Sequence, residues 1–83
     1  MKILTLDCLS PGERGIVKEL RATGGMQRRM IDLGVLEGTR IECVGKSPSG
    51  DPSAYFIRGA VIAIRSADAK RVTVFWEAQD GTY

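Results

Sequence analysis

The chain has 83 residues, 43% hydrophobic, 27% charged and 6% aromatic, with 12 Lys and Arg against 10 Asp and Glu for a formal net charge of +2. That is one small globular domain, which excludes a two-lobed enzyme with a deep cleft and excludes wholesale disorder. Residues 13 to 46 hold seven basic and five acidic side chains with the signs interleaved, the pattern of a solvated surface rather than of a chain built to neutralise a phosphate backbone.

In chain order, Leu4, Leu6 and Leu9 form an apolar lead-in. Ser10-Pro11-Gly12-Glu13 reads as a turn, with Pro11 and Gly12 at its two central positions. Its Ser-x-x-Glu spacing also resembles a helix capping box, but Gly12 and Gly15 argue against a helix. Gly15 to Leu20 is a strand candidate, broken by Thr23-Gly24-Gly25. Met26 to Leu33 is the one well-patterned helix: Met26, Met30 and Leu33 fall at i, i+4 and i+7, and Gly34 stands where a left-handed C-terminal cap is expected. Thr39 to Val44 is a second strand, with Ile41 and Cys43 on one face. The run Gly45 to Ser53, rich in Gly, Pro and Ser, is the longest loop and a candidate functional one. Ala54 to Ile57 and Ala60 to Ile64 flank Arg58-Gly59 as a hairpin. Ser66 to Ala69 forms a helical turn with Ser66 as its cap, and Val72 to Trp76 is the last strand. The expectation is a mainly β protein, a small barrel of about five antiparallel strands with one inserted short helix. It occupies residues 1–76 as a single domain, with a polar tail from Glu77 to Tyr83.

The chemistry this chain lacks is informative. It has no histidine, the usual general base and the commonest nitrogen ligand for transition metals, so no catalytic, cofactor-binding or metal-binding residues are assigned. Cys8 and Cys43 are too far apart in sequence for a CxxC motif and read as small apolar residues, with a disulfide left open. No hydrophobic run reaches the ~20 residues of a membrane-spanning helix, and no signal-peptide core stands at the start, so the protein is expected in the cytoplasm. Tyr55, Phe56, Phe75 and Trp76 are the aromatic stock. Each adjacent pair must point to opposite faces of a strand, so one of each pair is outward unless both sides of the sheet are covered, and an outward aromatic can anchor a protein or stack a base.

Taken together, Leu9-Ser10-Pro11-Gly12-Glu13-x-Gly15, the run Arg28 to Thr39 (RRMIDLGVLEGT), Pro48-Ser49-Gly50-Asp51-Pro52, Ile57-Arg58-Gly59 and Ile62-Ala63-Ile64-Arg65 resemble the FeoA family, the small component of bacterial ferrous-iron transport, across roughly residues 4 to 76. A similar domain ends some iron-dependent repressors of the DtxR type. The resemblance implies an SH3-like barrel and an accessory or regulatory role in iron homeostasis. The implied partner is the cytosolic G-protein part of an FeoB-type permease, with peripheral association at the inner membrane through it. It implies no cofactor and no membrane insertion, and oligomeric state is left open. Ser49 stands where a larger apolar residue is common in the family. A barrel core is consumed by packing, so the docking surface is expected on the inserted helix (Arg28, Arg29, Asp32) and on the loop Pro48, Gly50, Asp51 and Pro52 with Tyr55. The alternative reading is a small RNA-binding β-barrel.

Overall fold

The structure, a computed structural model, describes residues 2–77. Six strands form one antiparallel sheet: β1 Ile3–Thr5, β2 Arg14–Leu20, β3 Arg40–Lys46, β4 Ser53–Ile57, β5 Ala60–Ile64 and β6 Val72–Glu77, in the order β1-β6-β2-β3-β4-β5. Two helices interrupt them, α1 Gly24–Asp32 and the single turn α2 Ser66–Ala69, and a 3₁₀ turn at Leu6–Cys8 follows β1. The expected mainly β architecture with a short inserted helix is therefore present, with one strand more than expected. The extra strand is β1, inside what reads as an apolar lead-in; it pairs with β6 from Ile3 opposite Phe75 to Thr5 opposite Thr73. Glu77, expected as the first residue of the tail, belongs to β6 and pairs with Arg14; the other residues of the expected tail lie outside the described residues.

Alternation decides the inside. Val17, Ile41, Cys43, Tyr55, Ile57, Ile64, Val72 and Val74 project from the strands into a common core, closed by Leu6 and Leu9 of the N-terminal segment and by Met30 of α1. Register shifts in the β2–β6 pairing at Val17/Glu19 and in the β3–β4 pairing at Cys43/Gly45 add the local twist that lets a sheet wrap around so small a core. Where β2 meets β6, the chains approach closely. A Cβ on Gly15 would sit 2.8 Å from Val74 Cγ2 and 3.2 Å from the Phe75 carbonyl oxygen, so this position tolerates no side chain.

The Ser10–Glu13 segment is a β-turn, not a helix start. The Glu13 N–H donates to the Ser10 carbonyl (2.9 Å), and the Glu13 carboxylate accepts from the Ser10 N–H (2.7 Å) and from Trp76 Nε1 (3.3 Å). The capping-box spacing is thus real, but it serves to lock a turn onto β6.

α1 begins at Gly24, two residues ahead of the expected Met26, with Thr23 as N-cap residue. It ends at Asp32, one residue before the expected Leu33, which is its C-cap residue, and the expected glycine cap follows. Gly34 has φ +105°, its N–H donates to the Ile31 carbonyl and the Val35 N–H to the Met30 carbonyl (both 2.9 Å), the paired bonds of a left-handed glycine cap. Glycine serves a second purpose here: a Cβ at Gly34 would meet Arg58 Cδ at 2.7 Å and Ile57 Cγ2 at 3.1 Å, so its absence lets the helix end pack on the β4–β5 turn. In that turn Arg58 and Gly59 both have positive φ (50° and 88°), as a tight two-residue hairpin requires.

Candidate functional site: a ledge of α1, α2 and the 47–52 loop

α1 turns one face to the core through Met30 and the opposite face to solvent. Arg28, Arg29 and Asp32 all lie on the solvent side, with exposed Ile31 (41%) between them. A shallow trough of about 620 Å³ runs over Gly24, Gly25, Gln27, Arg28, Ile31 and Asp32. All six belong to one helix, so the trough has no opposing wall to enclose a small molecule.

The loop between β3 and β4 spans residues 47–52, shorter than its sequence suggests because β3 runs on to Lys46 and β4 starts at Ser53. Pro48, Gly50, Asp51 and Pro52 are exposed, and the Asp51–Pro52 peptide is cis. Internal bonds hold the loop: the Gly50 N–H donates to the Ser47 carbonyl (2.8 Å) and Ser49 Oγ to the Asp51 carbonyl (3.0 Å).

The helix and the loop are distant in sequence but tied to the same element. The Asp51 carboxylate accepts from the Ser66 N–H (2.8 Å) and from Ser66 Oγ (3.1 Å), so it satisfies an orphan donor at the start of α2 from fifteen residues away. Two residues on, Asp68 pairs with Arg29 at 3.3 Å. α2 thus bridges the two pieces expected from the sequence into one ledge. The expected cap role of Ser66 is corrected by this: Arg65 is the N-cap residue, and Ser66 is the first helical residue, whose hydroxyl is turned to Asp51. Local patterning gives no sign of the bridge, since both contacts span long sequence separations; only the Ser66-x-Asp68 spacing on a short turn hints at it.

Tyr55 is not on this surface. It is 1% exposed, the largest of the fully buried side chains, and its hydroxyl donates to the Leu6 carbonyl at 3.4 Å. Burial pushes its phenol up to about 12. The outward member of the pair is Phe56, 44% exposed, beside Arg14, Arg40, Glu42 and Arg58. Phe75 and Trp76 are both half-buried, and Trp76 carries Lys2 over its ring at 5.5 Å.

Cys8 is exposed and Cys43 buried, both as free thiols, which settles the question left open in the sequence; burial raises the Cys43 thiol above its ordinary value. Among the described residues no three His, Cys, Asp or Glu side chains converge as metal ligands, and no helix is long and apolar enough to cross a membrane.

The FeoA domain model matches residues 4–74. Among solved structures, the chain is similar to an FeoA-like protein from Clostridium acetobutylicum (26% identity, TM-score 0.87, covering 100% of this chain and 96% of that one). It is also similar to the FeoA protein from Chlorobium tepidum (29%, 0.84, 95% and 76%). A third relative is the FeoA of Stenotrophomonas maltophilia (29%, 0.77, 86% and 88%), complexed with zinc and described as a prokaryotic SH3 domain protein proposed as a ferrous iron transport activating factor. No curated protein matches the chain.

Proposed function

The chain belongs to the FeoA family, and from that premise we propose that it is a cytoplasmic, non-enzymatic accessory protein of ferrous-iron uptake whose α1–α2–loop ledge docks on the cytosolic G-protein part of an FeoB-type permease. The observation that carries the reading is the joining of α1 and the 47–52 loop through α2 by Arg29–Asp68 and Asp51–Ser66. It makes one continuous exposed face from elements that the core does not consume. That face has the mixture a protein interface uses, apolar Ile31 between Arg28 and Asp32. The role described for the Stenotrophomonas relative, a transport activating factor, fits a protein that acts by touching a larger one. The permease partner comes from the family resemblance.

Arg29 and Asp51 are poor probes of docking because each also holds α2 in place. Arg28 forms no salt bridge among the described residues and is the cleaner probe. In a pull-down against the cytosolic domain of the permease, Arg28→Glu combined with Asp32→Arg weakens capture by about tenfold or more. Capture that survives both changes discards the ledge; wild-type protein that fails to bind discards the partner.

The RNA-binding alternative retains one favouring observation, Phe56 exposed beside Arg14, Arg40 and Arg58. Glu42 in the same depression and Glu77 on Arg40 (3.0 Å) offset part of that charge. A single-stranded oligo(U) that gives no shift at low salt removes it.

A further inference from the structure

The sheet has an open side. Among the described residues β5 pairs with β4 alone and ends the strand order. The pair Ile57–Ala60 closes the two-residue turn, and the closing pair of such a hairpin exchanges hydrogen bonds. Alternation along β5 then directs the N–H and C=O of Ile62 and Ile64 to β4 as well, and turns those of Val61 and Ala63 away from the sheet. The devices that normally protect such an edge are missing from Ala60–Ile64, which has no charged residue, no proline and no register shift in its pairing. Its outward side chains are apolar and bare. Val61 is 64% exposed, and Phe56, directly opposite it on β4, is 44% exposed. Both belong to a row that crosses the sheet from Arg14 through Glu42 and Phe56 to Val61, which one more strand would extend.

The ends of this edge are cationic. Arg58 precedes β5 and Arg65 follows it; both are exposed, and neither forms a salt bridge among the described residues. Arg58 also lines, with Arg14, Arg40 and Phe56, a depression of about 290 Å³. This charge pattern selects the occupant. A second copy paired antiparallel edge to edge would set each Arg65 beside the other copy's Arg58, and a parallel pairing would set like against like, so self-association is opposed in either direction. An extended segment with an acidic residue at each end and β-branched residues between them satisfies the free backbone groups, covers Val61 and Phe56, and neutralises both arginines. We propose that β5 is an augmentation edge that takes such an acidic-ended extended segment of a partner protein. The ledge residues take no part in it, so it stands whether or not the ledge docks on a permease.

The test is a titration of the isotope-labelled full chain with a capped hexapeptide, Asp-Val-Thr-Val-Thr-Asp, followed by amide chemical shifts. Saturable shifts at Val61 and Ala63 are expected, and a hexapeptide with Lys at both ends binds about tenfold more weakly or worse. Val61→Pro removes an outward N–H without touching the β4 ladder, so it abolishes binding while the amide signals of Ile41 and Tyr55 keep their native positions. Arg65→Glu leaves the backbone intact and, with Arg58 still cationic at the other end, cancels the preference for the Asp-ended over the Lys-ended peptide. Arg28→Glu leaves the titration unchanged, so failure of the ledge and failure of the edge are read separately. No shift up to millimolar peptide overturns the proposal. So does a response confined to α1, a response at Phe56 matched by oligo(U), or a concentration-dependent dimer that protects Val61 and Ala63.

Discussion

The inner face of the sheet and the outer ledge are held together by opposite means. Inside, Leu6, Leu9, Met30, Ile41, Ile57 and Ile64 are at most 1% exposed, and the one large polar side chain among them, Tyr55, buries its hydroxyl against a carbonyl. Outside, α1, α2 and the 47–52 loop meet through one ion pair and one carboxylate on a helix start, both open to solvent. Removing an inner side chain leaves a void that neighbours fill only partly, whereas removing an outer one returns its partner to water. The inside therefore sets whether the chain folds, and the ledge can change at a small cost to folding.

The largest effect that sharpens this contrast is Tyr55→Ala. A buried aromatic of this size lost to a cavity is expected to cost about 3–5 kcal/mol in urea unfolding, much of the margin of so small a domain. A loss below about 1 kcal/mol would mean the interior is not close-packed, and the contrast would fail. Next comes alkaline pH. The Tyr55 phenol is raised from its ordinary 10.0 to about 12 by burial, so between those values the folded chain holds a proton that the unfolded chain has released. The stability this contributes is complete below pH 10.0 and is lost as pH rises toward about 12. The two-unit gap corresponds to roughly 2–3 kcal/mol. The buried Cys43 thiol, also raised, acts in the same direction. Urea midpoints should begin to fall above the ordinary thiol value of 9.0 and fall more steeply above the ordinary phenol value of 10.0, and Tyr55→Phe should remove the second, steeper part of that fall.

What the sequence makes legible follows the same division. The helical stripe of Met26, Met30 and Leu33, the cap at Gly34 and the hairpin at Arg58-Gly59 are local patterns, and each is present. β1 is hidden because three residues are too few to show alternation. The early start of α1 is hidden because Gly24 and Gly25 are poor helix formers, and Gly24 enters the helix at φ +63°, a left-handed conformation that no helical pattern announces. Period two requires Tyr55 and Phe56 to face opposite ways but does not say which faces in; that is settled by tertiary packing. The ledge is half legible: its helix and loop are readable as exposed segments, while the bridge through Ser66 and Asp68 is a long-range contact with no local periodicity to announce it.

That bridge gives the smallest and most discriminating effects. Asp51→Ala removes the carboxylate from the start of α2 and is expected to cost about 0.5–2 kcal/mol, the range of a lost N-cap. Arg29→Ala breaks an exposed pair and is expected to cost less than about 1 kcal/mol. Global stability alone distinguishes these poorly from noise, but hydrogen exchange does not. Both substitutions should speed exchange of the Ala69 and Lys70 amides, which donate to Arg65 and Ser66 carbonyls within the α2 turn, and leave the amides of β3 and β4 unchanged. Because the two contacts reach the same four-residue helix, their effects on those amides should be coupled rather than additive. If Asp51→Ala instead destabilised the whole sheet as Tyr55→Ala does, the loop would be part of the folding unit, and a ledge free to change independently of the core would not exist.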